Sequence, residues 1–212
     1  MAKAPAKESL TINGPVGQLD ALLEQPEAFD GRRVAVLCHP HPQHQGTMLN
    51  KVVHTLARAM TDLGILAVRF NFRGVGASDG EYGDGLGELD DLKYVAAWVR
   101  QRWPKAELWL AGFSFGAVVS ARAAAQLAPE RLVSIAPAVS ILGRELAVVP
   151  AMPWLIVQGD ADDVVACSDV IEWAETLDPR PELSVLSGAD HFFHGHLVSL
   201  RELLVAHLDD NA

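Results

Sequence analysis

The chain has 212 residues, 50% of them hydrophobic and 21% charged. That is enough for one domain with a substantial core, and it excludes a disordered or supercharged polypeptide. With 27 acidic residues against 17 Lys and Arg, the net charge of −10 excludes the basic stripe of a nucleic-acid surface and any strong attraction to anionic membranes.

Residues 9–12 and 18–23 alternate around Asn13-Gly14-Pro15, which predicts an antiparallel hairpin. The pattern then changes. Val34-Ala35-Val36-Leu37-Cys38 is a continuous apolar run, as expected of a strand buried on both faces. Helical periodicity covers 50–63 and ends at Gly64; 65–70 reads as the next strand, and 86–102 as an amphipathic helix stopping before Pro104. A strand at 108–111 leads through a glycine-rich turn to a helix at 117–127. Strands at 132–136, 154–157 and 183–186 follow, with helices at 168–177 and 197–208.

Strands alternating with helices predict an α/β fold with a mostly parallel central sheet and helices on both faces. Residues 1–212 read as a single domain. The stretch from 136 to 153 is too short for a separate lid domain, so short loops must cover any site. The two cysteines, Cys38 and Cys167, form no CxxC pair and read as buried or incidental thiols rather than a disulfide. Met1-Ala2-Lys3-Ala4-Pro5 lacks the apolar core of a signal peptide, and no apolar run reaches bilayer-spanning length. The expected location is the cytoplasm.

The most telling motif is Gly112-Phe113-Ser114-Phe115-Gly116. On a strand-to-helix turn, a Gly-x-Ser-x-Gly pentapeptide holds its serine in a strained, exposed position at a helix N-terminus. A serine hydroxyl needs a base, and the base needs an orienting acid. In a sheet of this kind both lie in loops beyond the carboxyl ends of later strands. Asp162 follows the strand at 154–157, with Asp160 and Asp163 as competitors for the same role. His191 follows the strand at 183–186, with His194 and His196 nearby.

An oxyanion requires preorganised N–H donors. The residue after the nucleophile, Phe115, supplies one from its backbone. The second belongs to the turn after the strand at 34–38, which reads His39-Pro40-His41-Pro42. Proline has no N–H, so His39 and His41 hold the early donors, and His41 is the expected one. A rival reading makes His39, His41 and His44 a metal site, but no carboxylate or cysteine stands at matching spacing.

With these residues assembled, the chain resembles the α/β-hydrolase superfamily, and within it the small, capless bacterial hydrolases carrying a His-Pro-x-Pro turn. The resemblance is carried by His39 to Pro42 with 46–53, by 69–78, by Gly87-Glu88 with Asp91, by Gly112 to Gly116, by Gly159 to Asp162, and by Asp190-His191-Phe192-Phe193. Two positions depart from the pattern. Gln45 stands where relatives often have glycine, and Asp163 where they often have proline after the acid. The resemblance implies hydrolase chemistry without fixing a substrate.

The expected reaction is hydrolysis of an ester or thioester of a small acyl substrate. Ser114 is the nucleophile, His191 the base, Asp162 its orienting acid, and the Phe115 and His41 N–H groups bind the oxyanion. No metal or organic cofactor is required. A peptidase, an amide or lactone hydrolase on the same triad, and a non-catalytic binding protein are the alternatives. A homodimer through an exposed apolar helix face is a further open reading. Arg73 reads either as a clamp to Glu88 or Asp91 or as a substrate-carboxylate ligand. Phe113, Phe115, Phe192 and Phe193 divide between an acyl pocket and the core.

Overall fold

The computed structural model describes residues 4–209. The reading of Met1, Ala2 and Lys3 lies outside them. Eight strands form one sheet: β1 (Ala6–Gly14), β2 (Gly17–Gln25), β3 (Arg33–Cys38), β4 (Leu66–Phe70), β5 (Glu107–Phe113), β6 (Arg131–Ile135), β7 (Trp154–Gly159) and β8 (Glu182–Leu186). Their spatial order is β1-β2-β4-β3-β5-β6-β7-β8. β1 and β2 pair antiparallel and β2 joins β4 antiparallel; every pair from β4–β3 to β7–β8 is parallel.

The helices are α1 (Lys51–Asp62), α2 (Leu86–Arg102), α3 (Phe115–Leu127), α4 (Val139–Leu142), α5 (Cys167–Glu175) and α6 (Leu197–Leu208). They cover both faces. Residues of α2, α3 and α5 pack in one apolar layer with Val34, Val36 and Cys38; those of α1 and α6 pack in the other with Ala35 and Leu37. Successive β3 side chains therefore enter opposite layers, which is why that strand is apolar from Val34 to Cys38. Among the described residues no helix is long and apolar enough to cross a membrane.

Most differences from the sequence reading are at element ends. The hairpin is longer than 9–12 and 18–23, because backbone pairing continues through the exposed Ala6-Lys7-Glu8 to Gln25, Glu24 and Leu23. Helix α3 begins at Phe115 rather than 117, since Ser114 itself occupies its N-cap. Two short elements were not expected: a 3-10 turn at Pro42–His44 and the four-residue α4. Among the described residues no lid domain covers the carboxyl edge of the sheet.

Candidate active site

The serine turn is built by two close backbone approaches. Ser114 has φ 55 and ψ −112, a strained conformation for a residue with a side chain. A Cβ on Gly112 would lie 2.3 Å from the Gly116 carbonyl, and one on Gly116 would lie 2.4 Å from the carbonyl oxygen of Cys38. Only glycine fits either place. The turn is held by the Ser114 N–H, which donates to Ile135 at the end of β6 (2.9 Å).

Ser114 Oγ lies 3.1 Å from Nε2 of His191, and His191 Nδ1 lies 2.8 Å from Oδ2 of Asp162. With the carboxylate accepting from Nδ1–H, the neutral imidazole presents a bare Nε2 to the hydroxyl. The Asp162 side chain is completely buried behind the imidazole. Its Oδ1 accepts from the N–H groups of Val164 (2.9 Å) and Val165 (2.7 Å). Its Oδ2 accepts from His191 and from Gln158 Nε2 (2.9 Å). Burial works to raise the Asp162 pKa, but the His191 and backbone hydrogen bonds outweigh it and hold the group below the usual carboxylate range.

The competing carboxylates do other work. Asp160 accepts from the Gly188 N–H (2.6 Å) and from Ser187 Oγ (3.1 Å), tying the Asp162 loop to the His191 loop. Asp163 is exposed. His194 pairs with Asp190 on the surface (2.7 Å), and His196 stands at the N-cap position of α6 without a side-chain capping bond.

Phe115 is the first residue of α3, so its N–H has no acceptor within the helix. Phe115, His41 and Ser114 border one cavity of about 390 Å³. Ala138, Ile141, Val164 and Phe192 make its apolar wall, and His44, Gln45 and Asn50 a polar rim. Ile141 comes from α4, the short helix that carries no periodic signal. Among the four phenylalanines, Phe113 and Phe193 are core residues, Phe115 is buried at the cavity edge, and Phe192 is 43% exposed on the wall.

The turn bearing His41 is stiffened from beneath. His39 is fully buried; its Nδ1–H donates to the Pro40 carbonyl (2.6 Å) and its Nε2 accepts from the Phe72 N–H (3.0 Å). Burial pushes its pKa down to about 4, against the opposing pull of the Pro40 bond. Both nitrogens are thus engaged, leaving His39 none for a metal. Among the described residues no group of three His, Cys, Asp or Glu is placed to hold a metal ion. His41 Nε2 meets Tyr82 Oη at 3.2 Å. Burial, then the neighbouring His44, lowers the His41 pKa, partly offset by Glu88. Gln45 takes φ 61, the left-handed conformation that a glycine would adopt freely.

Arg73 is a clamp to Asp91: its Nη2 and Nε donate to Oδ1 (2.8 and 3.1 Å), and its backbone N–H donates to Oδ2 (2.9 Å). Glu88 instead accepts from the N–H groups of Gly83 and Gly85 at the start of α2 (2.9 and 2.8 Å). Sequence reasoning missed Gln158. The only signal is a polar residue ending the apolar strand Trp154-Leu155-Ile156-Val157.

Three comparisons bear on this geometry. Residues 31–151 match the family model described as "Serine aminopeptidase, S33". An uncharacterized protein of Rickettsia prowazekii is 35% identical, over 86% of this chain and 80% of its own length. Among solved structures, an alpha-beta serine hydrolase homologue from Coxiella burnetii is 49% identical with TM-score 0.91, covering 95% of this chain and 97% of its own. A serine hydrolase without lid from Xanthomonas campestris is 47% identical with TM-score 0.88, covering 96% and 94%.

Proposed function

The chain belongs to the α/β serine hydrolases, in the family described as serine aminopeptidase, S33, and from that premise we propose that it hydrolyses esters or thioesters of small acyl groups through an acyl-enzyme on Ser114. The observation that carries the reading is the unbroken line from Ser114 Oγ through His191 to Asp162, at 3.1 and 2.8 Å.

In this reading His191 takes the hydroxyl proton as Oγ attacks the carbonyl carbon. Asp162 holds the imidazole in its Nδ1–H tautomer and stabilises the imidazolium that forms. The N–H groups of Phe115 and His41 receive the oxyanion. The tetrahedral intermediate collapses as His191 returns the proton to the leaving alkoxide or thiolate. Water then attacks the acyl carbon as His191 takes its proton, and His191 returns that proton to Ser114 Oγ as the ester bond breaks and the acid leaves.

The cavity favours this over removal of an N-terminal amino acid. An aminopeptidase must hold a free ammonium group, for which a carboxylate is the matching side chain. Among the described residues no Asp or Glu lines the cavity, and Asp162 is sealed behind His191. Fold alone does not decide between acyl substrates, so the wall of the site carries that argument.

Ser114→Ala tests the reading. Loss of the nucleophile is expected to lower kcat for p-nitrophenyl acetate by about three orders of magnitude or more. A fluorophosphonate probe is expected to label the wild type at Ser114 and to leave the variant unlabelled. A purified variant hydrolysing the ester at the wild-type rate sinks the proposal. Faster turnover of aminoacyl p-nitroanilides than of the ester moves the substrate class to peptides.

A further inference from the structure

We propose that Gln158 is a positioning residue: its amide shares Oδ2 of Asp162 with His191 and so fixes the carboxylate lone pair that orients the imidazole. This rests on the reading of Ser114, His191 and Asp162 as a triad.

Gln158 is the penultimate residue of β7 and is fully buried. Three acceptors surround one end of its side chain: Asp162 Oδ2 at 2.9 Å, the Val165 carbonyl at 3.1 Å and the Gly159 carbonyl at 3.3 Å. Only the NH2 group suits three oxygens, so the surroundings settle which way the amide points. One hydrogen goes to the carboxylate and the other to the carbonyls.

The two oxygens of Asp162 are thereby saturated. Oδ1 takes the N–H groups of Val164 and Val165, and Oδ2 takes His191 and Gln158. A carboxylate has about four lone-pair sites, and all four are used. It can neither rotate nor exchange oxygens without breaking a bond. Val165 is gripped at both ends of its backbone, since its N–H feeds Oδ1 while its carbonyl accepts from Gln158. The loop carrying the acid is clasped to the strand that precedes it.

The other end of the amide separates this role from simple stabilisation. Gln158 Oε1 is buried without a hydrogen-bond partner among the described residues. An unpaired buried acceptor lowers stability. A methionine of similar length would avoid that cost and pack against the same apolar layer. What the methionine lacks is the donor to Oδ2. Groups that hold a first ligand or catalytic side chain from behind commonly alter function by about 10- to 100-fold when removed.

The rate of fluorophosphonate labelling at Ser114, expressed per labelled site, provides the test, because it reads the nucleophile without reference to the fraction folded. Gln158→Met is expected to label at least tenfold more slowly than the wild type, both measured well below their own melting temperatures. Gln158→Leu serves as the second variant should the first not fold. In an Asp162→Ala background the same substitution is expected to change the rate less than twofold, since the group it acts through is gone. Wild-type labelling by Gln158→Met overturns the inference, as does equal slowing in both backgrounds. Wild-type protein that takes no label at Ser114 overturns the triad reading, and this inference with it.

Discussion

The Asp160 carboxylate accepts the backbone N–H of Gly188 at 2.6 Å, which joins the loop after β7 to the loop after β8. The same two loops meet again where the Ala161 N–H donates to the Ala189 carbonyl (3.1 Å). The distance between Asp162 and His191 therefore depends on a neighbour that touches neither. Asp160→Ala is expected to lower kcat several-fold while leaving KM near its wild-type value. The link is exposed, so its loss should cost stability by only about 1 kcal/mol. Steady-state kinetics alongside a urea melt checks both; an unaltered kcat would mean the remaining backbone contact suffices.

The glycines of the serine turn are a harder constraint. A Cβ at position 116 collides with the Cys38 and His39 carbonyl oxygens, at 2.4 and 2.6 Å, and these belong to backbone that cannot swing aside. Gly116→Ala is expected to cost at least about 3 kcal/mol or to prevent folding. Thermal melting reads the loss directly. A fully stable variant would show that the β3 end and α3 move apart more easily than their packing implies.

Gln45 has the opposite character. At φ 61 its side chain costs conformational energy that glycine would not pay. Gly46 beside it is fixed, since a Cβ there would lie 2.1 Å from the Pro40 carbonyl oxygen. Gln45→Gly is expected to leave stability unchanged or raise it by up to about 1 kcal/mol, because relief of the strain competes with the greater freedom of an unfolded glycine. Chemical denaturation measures the difference, and a loss above 1 kcal/mol would mean that the Gln45 side chain makes a contact of its own.

His39 sets an acid limit on stability. An unfolded imidazole takes a proton near 6.5, whereas the folded one resists until about 4. Its folded pKa is depressed, so between these values the unfolded chain binds the proton and the native chain does not. The contribution is complete above about pH 6.5 and is lost as pH falls toward 4; it amounts to about 3 kcal/mol. Unfolding free energies from pH 7.5 to 4.5 should fall more steeply for the wild type than for His39→Gln. Parallel curves would place the acid sensitivity elsewhere.

The alternation of strands and helices was legible because β3 and β4 are buried on both faces and are almost wholly apolar, with Val34–Cys38 an unbroken run and Arg69 the charged exception in β4. The positions of Ser114, Asp162 and His191 were legible for a related reason: each follows a strand whose carboxyl end reaches the same edge. Other parts left little trace. Helix α4 has four residues, too few for any period to show. The hairpin's outer half is exposed, so pairing rather than burial sets its length. Gln158 stands out only once β7 and the loop after it are folded, because its partners are an acid four residues on and two carbonyl oxygens. The choice of Asp162 over Asp160 likewise rests on direction: one carboxylate turns inward to the imidazole and the other outward to Gly188.

On the proposed esterase reading, the cavity itself limits the acyl group. Its volume of about 390 Å³ lies near the lower end of the roughly 300–1,000 Å³ typical of small-molecule sites. Ala138, Ile141, Val164 and Phe192 form its apolar side, and Phe192 is already 43% exposed. Methylenes beyond what the cavity holds would stay in water and gain no further burial, while the cost of ordering each of them would remain. Across p-nitrophenyl esters, kcat/KM is expected to be highest for acetyl to butyryl and to decline toward palmitoyl. Phe192→Ala should lower kcat/KM for the butyryl ester more than for the acetyl ester, since the longer chain has more apolar surface to bury against that ring. A kcat/KM that climbs steadily to palmitoyl would contradict both expectations and would require an apolar surface continuing well past the rim.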